Sequence, residues 1–275
     1  MAARHIIHID RPIEQADIDY VSGRADLIGH DDATLGDAPA AVIGIGDTWD
    51  ADRFARFPNL RVISRAGIGY DNVDCAAASA AGVVVCNGPD SPTVSTAEHT
   101  MALMLAVTKE LSSKTKRALA GLAGAGTATS LELDGATLGL VGLGRIARRV
   151  AVVGQALGMQ VLACDPFLDS SPVPSVTLAP LDQVIAQAHV LSLHAPSTAE
   201  TRHMMNDASL AAMRPGSFLI NCARGPLIDH DALLRALDAG HLAGAGLDVT
   251  DPEPLPVGHP LLGRDDVVVT PHIAS

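Results

Sequence analysis

Three residues with anion-binding or acid–base chemistry each stand just past an apolar, strand-like run. Arg224 follows "SFLIN", Glu253 follows "AGAGLDV", and His272 follows "DVVVT". Arg224 comes directly before Gly225-Pro226, which holds it on a rigid turn, and a guanidinium fork there suits a planar carboxylate. Glu253 lies among prolines in "DPEPLP", which stiffen its loop. A carboxylate beside an imidazole favours the protonated ring, so such a pair is a candidate general acid. Each residue type also has a plainer use. An arginine on such a turn serves equally as a surface residue, and most of the 11 histidines are expected to be solvated or capping. At three successive strand ends, however, the set describes a carboxylate anchor next to an acid/base pair.

A second constellation handles a different chemical group. "ATLGLVGLGRIARRVAVVGQALG" reads strand, glycine turn, helix, with Gly142 and Gly144 as a G-x-G and Ala147 in the third position. Gly142 permits a tight turn and Gly144 a close backbone approach. The helix that follows then offers unpaired N–H groups and a positive dipole end to a pyrophosphate. Glycine turns of this kind also occur in α/β folds that bind no nucleotide. The next strand, "MQVLAC", ends on Asp165, roughly 20 residues further on, where a carboxylate accepts hydrogen bonds from adenosine ribose hydroxyls. Asp165 could instead cap a helix, but Pro166 follows and no helical pattern begins there. The same carboxylate repels a 2′-phosphate, and no Lys or Arg follows in the loop to offset it. The pattern favours NAD over NADP.

Both constellations need a scaffold that delivers strand ends to one edge. "RHIIHI", "AAVIGI", "RVISRA" and "GVVVC" are strand candidates in the first third, and "ATLGLVG", "QVLAC", "HVLSL", "SFLIN", "AGAGLDV" and "DVVVT" follow. Helical segments separate them, among them Arg145 to Leu157 closed by Gly158 and Asp231 to Ala239 closed by Gly240. Continuous apolar strands alternating with helices predict an α/β protein with parallel sheets covered on both faces. "TVSTAEHTMALMLAVTKEL" (Thr93 to Leu111) reads as one long helix, apolar on more than one face, between the two strand sets. It marks a domain boundary near residue 94 and suits either a core or a subunit interface.

With these residues in hand, the sequence resembles the D-isomer-specific 2-hydroxyacid dehydrogenases, NAD-dependent enzymes that include phosphoglycerate dehydrogenase and hydroxypyruvate reductase. The likeness runs through "SRAGIGYDNVD", "GLGRIA", "CDPF", "LHAPST", "NCARGPLID", "LDVTDPEP" and "PHIAS". The resemblance implies a flavodoxin-like substrate-binding domain (1–94) and a Rossmann-type NAD-binding domain (95–275). It implies hydride transfer between NAD(H) and a small 2-oxo or 2-hydroxy acid, with Arg224 binding substrate, Glu253 orienting the histidine and His272 as the acid/base. It also implies that Arg145 and Ile146 meet the pyrophosphate, that His194 and Ala195 line the adenosine side, and that Cys222, Ala223 and Asp248 surround the nicotinamide. The resemblance further implies that Thr96 touches the cofactor and that the loop Arg65, Ala66, Gly67, Ile68 closes over the substrate carboxylate with its N–H groups. Two departures stand out. The tryptophan common before the glycine turn is missing, the single one being Trp49, and the helix expected beyond the His motif is absent. The encoded protein is therefore expected to continue past Ser275.

Composition narrows the alternatives. Nineteen basic against 31 acidic residues give a net charge of −12, which disfavours nucleic acid and anionic membranes as partners. Seven aromatics (four Phe, two Tyr, one Trp) are too few for base-stacking platforms. The longest apolar run, Met101 to Val107, is too short to span a bilayer. Four scattered cysteines without a CxxC pair suggest reduced thiols in the cytoplasm. Neither Tyr20 nor Tyr70 has a Lys four residues on, as a short-chain dehydrogenase requires, and no HExxH or Cys/His cluster supports a metal. Arg53, Arg56 and Arg65 are cations available for a substrate phosphate, though arginines of this kind usually serve as surface residues. The stretch Ala120 to Ser130 reads as a flexible loop. The rival to a dehydrogenase, expected as a homodimer, is a non-catalytic NAD-sensing or corepressor-type binding protein on the same scaffold.

Overall fold

The computed structural model describes residues 5–10, 13–28, 41–43, 48–65, 67–122 and 130–275. The chain divides into two compact units, Met1–Pro92 and Thr93–Ser275. In the first, strands β1 (Ile6–Ile9), β2 (Asp26–Ile28), β3 (Ala41–Ile43), β4 (Val62–Ser64) and β5 (Val84–Cys86) form a parallel sheet in the order β2-β1-β3-β4-β5. That is the flavodoxin-like order. Helices α1 (Gln15–Ser22), α2 (Ala51–Ala55) and α3 (Cys75–Ala80) connect the strands. Asp50 and Asp74 cap α2 and α3 by accepting N–H groups of the first turn. The core gathers Val42, Trp49, Phe54, Phe57, Leu60 and Ile63. Arg53 pairs with the buried Asp10 carboxylate at 2.7 Å and lies over the Trp49 ring, 4.6 Å from its centroid. Its charge is thus engaged inside its own unit rather than offered to a substrate phosphate.

The second unit contains α4 (Thr93–Thr108), α5 (Leu111–Leu119), β6 (Thr137–Val141), α6 (Arg145–Ala156), β7 (Gln160–Cys164), β8 (Val176–Leu178), α7 (Leu181–Gln187), β9 (Val190–Leu193), α8 (Asp207–Ala212), β10 (Ser217–Asn221), α9 (His230–Asp238), β11 (Leu242–Leu247) and β12 (Val267–Val269). The sheet is parallel, in the order β12-β11-β10-β9-β6-β7-β8. Read from β8, this is the 3-2-1-4-5-6 order of dinucleotide-binding sheets, extended by one strand, and its switch point lies between β6 and β9. Every residue of β9 and β10 is buried, as expected of central strands covered on both faces.

Two features differ from the sequence reading. The expected helix over Thr93–Leu111 stops at Thr108, because Glu110 takes a left-handed conformation (φ 54°) and a separate helix, α5, begins at Leu111. Strands β2 and β8 were not anticipated, since neither "DLI" nor "VTL" has the run of consecutive valines that marks the equally short edge strands β5 and β12. The glycine stops behave as read: Gly158 and Gly240, just past α6 and α9, adopt positive φ. Of the stretch Ala120–Ser130, residues 123–129 lie outside the described residues.

Strand register is what positions the site. One row across the second sheet aligns Cys164, Val141, Leu193, Asn221, Leu247 and Val269. The residues one step further are Asp165, Gly142, His194, Cys222, Asp248 and Thr270. Four of them continue the ladder by bonding back into the row: Gly142 N–H to Cys164 O at 2.7 Å, His194 N–H to Val141 O at 2.8 Å, Asp248 N–H to Asn221 O at 2.9 Å, and Thr270 N–H to Leu247 O at 2.9 Å. The chemistry-bearing segments all leave the sheet from one line.

Candidate active site

At the switch point, Gly142 has φ 92°, and a β-carbon there would lie 2.9 Å from the His194 carbonyl oxygen. Backbone conformation and space both demand glycine, so the turn presses its main chain against the end of β9. The Asp165 carboxylate spans this turn, accepting Leu143 N–H at 2.9 Å with one oxygen and Phe167 N–H at 3.0 Å with the other. Each oxygen retains a second lone pair for a further donor. Gly144 is the N-cap of α6, and no side chain caps that helix. The first N–H groups, at Arg145, Ile146 and Ala147, therefore have no side-chain acceptor from the cap, as an anion site requires. The small, fully buried Ala147 fits the third fingerprint position. A pyrophosphate fits a helix end without a side-chain cap, behind a turn of two glycines whose intervening Leu143 is buried, and a ribose fits the carboxylate beside it. Past β9, His194 Nε2 lies 3.0 Å from Ser192 Oγ. The residue as a whole is half-buried, and desolvation by the protein packed around the ring pushes its pKa down to about 4. His194 and Ala195 thus present a neutral surface.

On the strand next to β9, the turn after β10 is stapled by Asn221. Its side chain accepts Ala223 N–H at 3.0 Å and donates to Arg224 O at 2.9 Å. The half-buried Arg224 donates from Nη1 to Ala223 O at 2.6 Å and enters a short 3-10 turn, Gly225–Leu227, in extended conformation. A β-carbon on Gly225 would overlap Thr250 O at 1.9 Å, so this turn packs directly on the backbone that leads to Glu253. Cys222 is buried, and burial pushes its thiol up to about 12, against the hydrogen bond from Thr100. It is not a nucleophile. Thr96, one helical turn before Thr100, is likewise buried, and its carbonyl accepts the Thr100 hydroxyl at 2.7 Å.

His272 Nδ1 is hydrogen-bonded to Glu253 Oε1, and both side chains are partly exposed. The backbone of His272 is left-handed (φ 55°), a conformation that histidine tolerates better than most residues but that still costs energy. What holds it is Asp248. His272 N–H donates to Asp248 O at 2.9 Å. The Asp248 carboxylate accepts Thr270 Oγ–H at 2.6 Å and Ile273 N–H at 3.0 Å on Oδ1, and Ala274 N–H at 3.0 Å on Oδ2. The resemblance put Asp248 beside the nicotinamide. Its carboxylate is enclosed and also holds the chain's own 270–274 segment, at the end of β11 beside Cys222 at the end of β10.

In the first unit, Gly67, Ile68 and Gly69 each have an occupied carbonyl oxygen, bonded to Gly88 N–H at 3.1 Å, Asn87 Nδ2 at 2.8 Å and Arg65 Nε at 2.5 Å. A trans peptide sets its N–H opposite its C=O, so the N–H groups of residues 68–70 face away from those partners. Ala66 lies outside the described residues.

Residues 101–274 match the family model for the D-isomer specific 2-hydroxyacid dehydrogenase NAD binding domain. The chain belongs to that family. A D-3-phosphoglycerate dehydrogenase of Mycobacterium leprae is 37% identical over 266 residues, which is 95% of this chain and 49% of that protein. One from Archaeoglobus fulgidus is 40% identical over 228 residues, covering 82% and 43%. The chain spans about half the length of the curated relatives it matches. Among solved structures, the TT0316 protein from Thermus thermophilus superposes with a TM-score of 0.89 at 38% identity, covering 98% of this chain and 90% of that one. A D-lactate dehydrogenase from Aquifex aeolicus, complexed with NAD and lactic acid, gives 0.86 at 30% identity, covering 98% and 90%.

Within the family's NAD-binding domain, Gly142, Gly144, Arg145, Ile146, Asp165, His194 and Ala195 gather around the switch point. Cys222, Ala223, Arg224, Asp248, Glu253 and His272 gather at the ends of β10, β11 and β12. The sequence reading missed Asn221, Thr270 and His99. His99 Nε2 lies 2.9 Å from Thr270 Oγ1 and 3.4 Å from Asp248 Oδ1. The available signal for His99 was a single imidazole on a helix that is apolar on more than one face.

Proposed function

We propose that this chain performs NAD-dependent, reversible reduction of a small 2-oxo acid to the D-2-hydroxy acid. The observation that carries the proposal is the His272–Glu253 pair, set at the sheet edge two segments from the Arg224 turn. NAD(H), when bound at the glycine turn with Asp165 on its ribose, supplies or accepts the hydride. Arg224 grips the substrate carboxylate with its fork and polarises the neighbouring carbonyl. Because Glu253 takes Nδ1, the proton of His272 that moves is the one on Nε2. In reduction Nε2–H gives its proton to the forming alkoxide, and in oxidation neutral Nε2 removes it. Glu253 fixes the tautomer and offsets the imidazolium charge.

The N–H edge at residues 68–70 is proposed as a carboxylate-binding element of the first unit. Residues 1–94 are accordingly assigned to substrate and 95–275 to NAD. A neighbour described with NAD and lactic acid supports this substrate class. A homodimer is proposed through the apolar groove between α4 and α6, lined by Val94, Ala97, Met101 and Val153 with Glu98 and Arg149. A two-fold axis would set Glu98 of one copy against Arg149 of the other. Four free cysteines support a reducing compartment, the cytoplasm.

The test is steady-state NADH oxidation with hydroxypyruvate, glyoxylate, pyruvate and branched 2-oxo acids. Turnover is expected with at least one, and His272→Ala should lower it by roughly 10²–10⁴-fold with NADH affinity retained. NADH binding without turnover of any acid would replace the enzyme with a binding protein.

A further inference from the structure

The His272 segment is fixed from a helix as well as from its own sheet. Leu103 of α4 packs onto Gly246 of β11, where a β-carbon would lie 3.0 Å from Leu103 Cβ. Four residues back along the helix is about 6 Å, and two residues on along the strand is about 6.6 Å. His99, on the same face as Leu103, therefore falls level with Asp248. The hydrogen bonds there have a defined direction. The Thr270 hydroxyl proton goes to Asp248 Oδ1 at 2.6 Å, so the oxygen is left as an acceptor for His99 Nε2 at 2.9 Å. That assigns the His99 proton to Nε2. The Asp248 side chain is fully enclosed, and its oxygens hold the N–H groups of Ile273 and Ala274 directly after His272.

We propose that His99 is a positioning residue for the acid/base: its Nε2–H locks the Thr270 hydroxyl onto Asp248, and Asp248 in turn locks the backbone that carries His272. The proposal rests on reading His272 as the proton donor. His99 touches neither substrate nor the reacting atoms, and it acts by removing freedom from the segment that does.

The test uses the full chain with His99→Leu, His99→Gln, His99→Asn and Thr270→Val. A glutamine amide reaches the position of Nε2, whereas an asparagine amide stops short of it. In cofactor-free protein, NMR-detected exchange of the Ile273 and Ala274 amides should quicken by about tenfold or more in His99→Leu and Thr270→Val, and stay near wild type in His99→Gln. In turnover, His99→Leu should lose about ten- to a hundredfold in kcat while KM for NADH moves less than about twofold. His99→Gln should recover most of that loss and His99→Asn should not. The double variant His99→Leu/Thr270→Val should be no worse than the weaker single, because both cut one chain of bonds. Unchanged amide exchange and kcat in His99→Leu, or losses that multiply in the double variant, would overturn the proposal. If His99→Leu fails to fold, the Gln/Asn pair and Thr270→Val decide. If the wild type turns over no 2-oxo acid, the dehydrogenase reading falls, and amide exchange still reports on the lock.

Discussion

Asp165 is placed for two jobs at once. It holds the Leu143 N–H of the glycine turn and leaves carboxylate lone pairs for a ribose, with no basic side chain beside it in sequence. Asp165→Ser should therefore weaken NAD and raise the NADP/NAD preference ratio by roughly one to two orders of magnitude, read from KM values for both cofactors. An unchanged ratio would remove Asp165 from the ribose. Cys222 gives a pH-dependent readout. Its thiol pKa, raised by burial to about 12, keeps it protonated, while the unfolded chain ionises near the ordinary value of 9.0. The contribution to stability is complete below pH 9 and declines as pH rises from there through 12. At about pH 8, brief iodoacetamide treatment should label the exposed Cys75 and Cys86 but not Cys222 until the chain is unfolded, as peptide mass mapping would show. Arg224, Glu253 and His272 were legible in the sequence because each follows a run that is visibly a strand. His99 and Thr270 were not, since their contact joins residues 171 positions apart and neither neighbourhood announces it. Burial of Asp248 was hidden for the same reason: its partners Thr270, Ile273 and Ala274 lie 22, 25 and 26 positions further on.

Among the elements, the β6–α6 turn is the most constrained. An alanine at Gly142 would have to adopt φ near 92° and approach a carbonyl oxygen to 2.9 Å. Such strain costs on the order of 1–3 kcal/mol, or roughly 2–10 °C in melting temperature for a unit of this size. Gly142→Ala should also weaken NADH binding by about tenfold or more, because the turn must move away from β9 to make room. Calorimetry and nucleotide fluorescence would check both effects, and intact NADH affinity would place the pyrophosphate elsewhere. The strands that fall in visibly apolar runs, and the glycine-terminated helices, were readable from pattern and punctuation. The edge strands β2 and β8 were not, being defined by their neighbours' open backbone rather than by a pattern of their own. The break at Glu110 was also hidden, since a left-handed glutamate has no signature in an apolar helical run.

For the whole molecule, the groove between α4 and α6 makes a concrete expectation. It is apolar, partly exposed at Val94 and Val153, and carries one acid and one base. Light scattering should report a dimer for the wild type. Glu98→Arg should shift it toward monomer by at least about tenfold in Kd, and adding Arg149→Glu should restore it. A monomeric wild type would leave the groove for something else. Parallel sheets of both units were legible from alternation alone, but the pairing order was not, because register is decided by contacts between strands far apart in sequence. That register bears on how such a chain tolerates altered length. Asp165, Gly142, His194, Cys222, Asp248 and Thr270 share one line only because each strand is counted from its partners. An extra codon in the connection at Gly240, before β11, would be absorbed in the turn. The same codon inside β10 would carry Cys222 and Arg224 past the line and turn alternate side chains to the opposite face. Inherited insertions and deletions should therefore gather at the far edge of the sheet and spare the strands themselves.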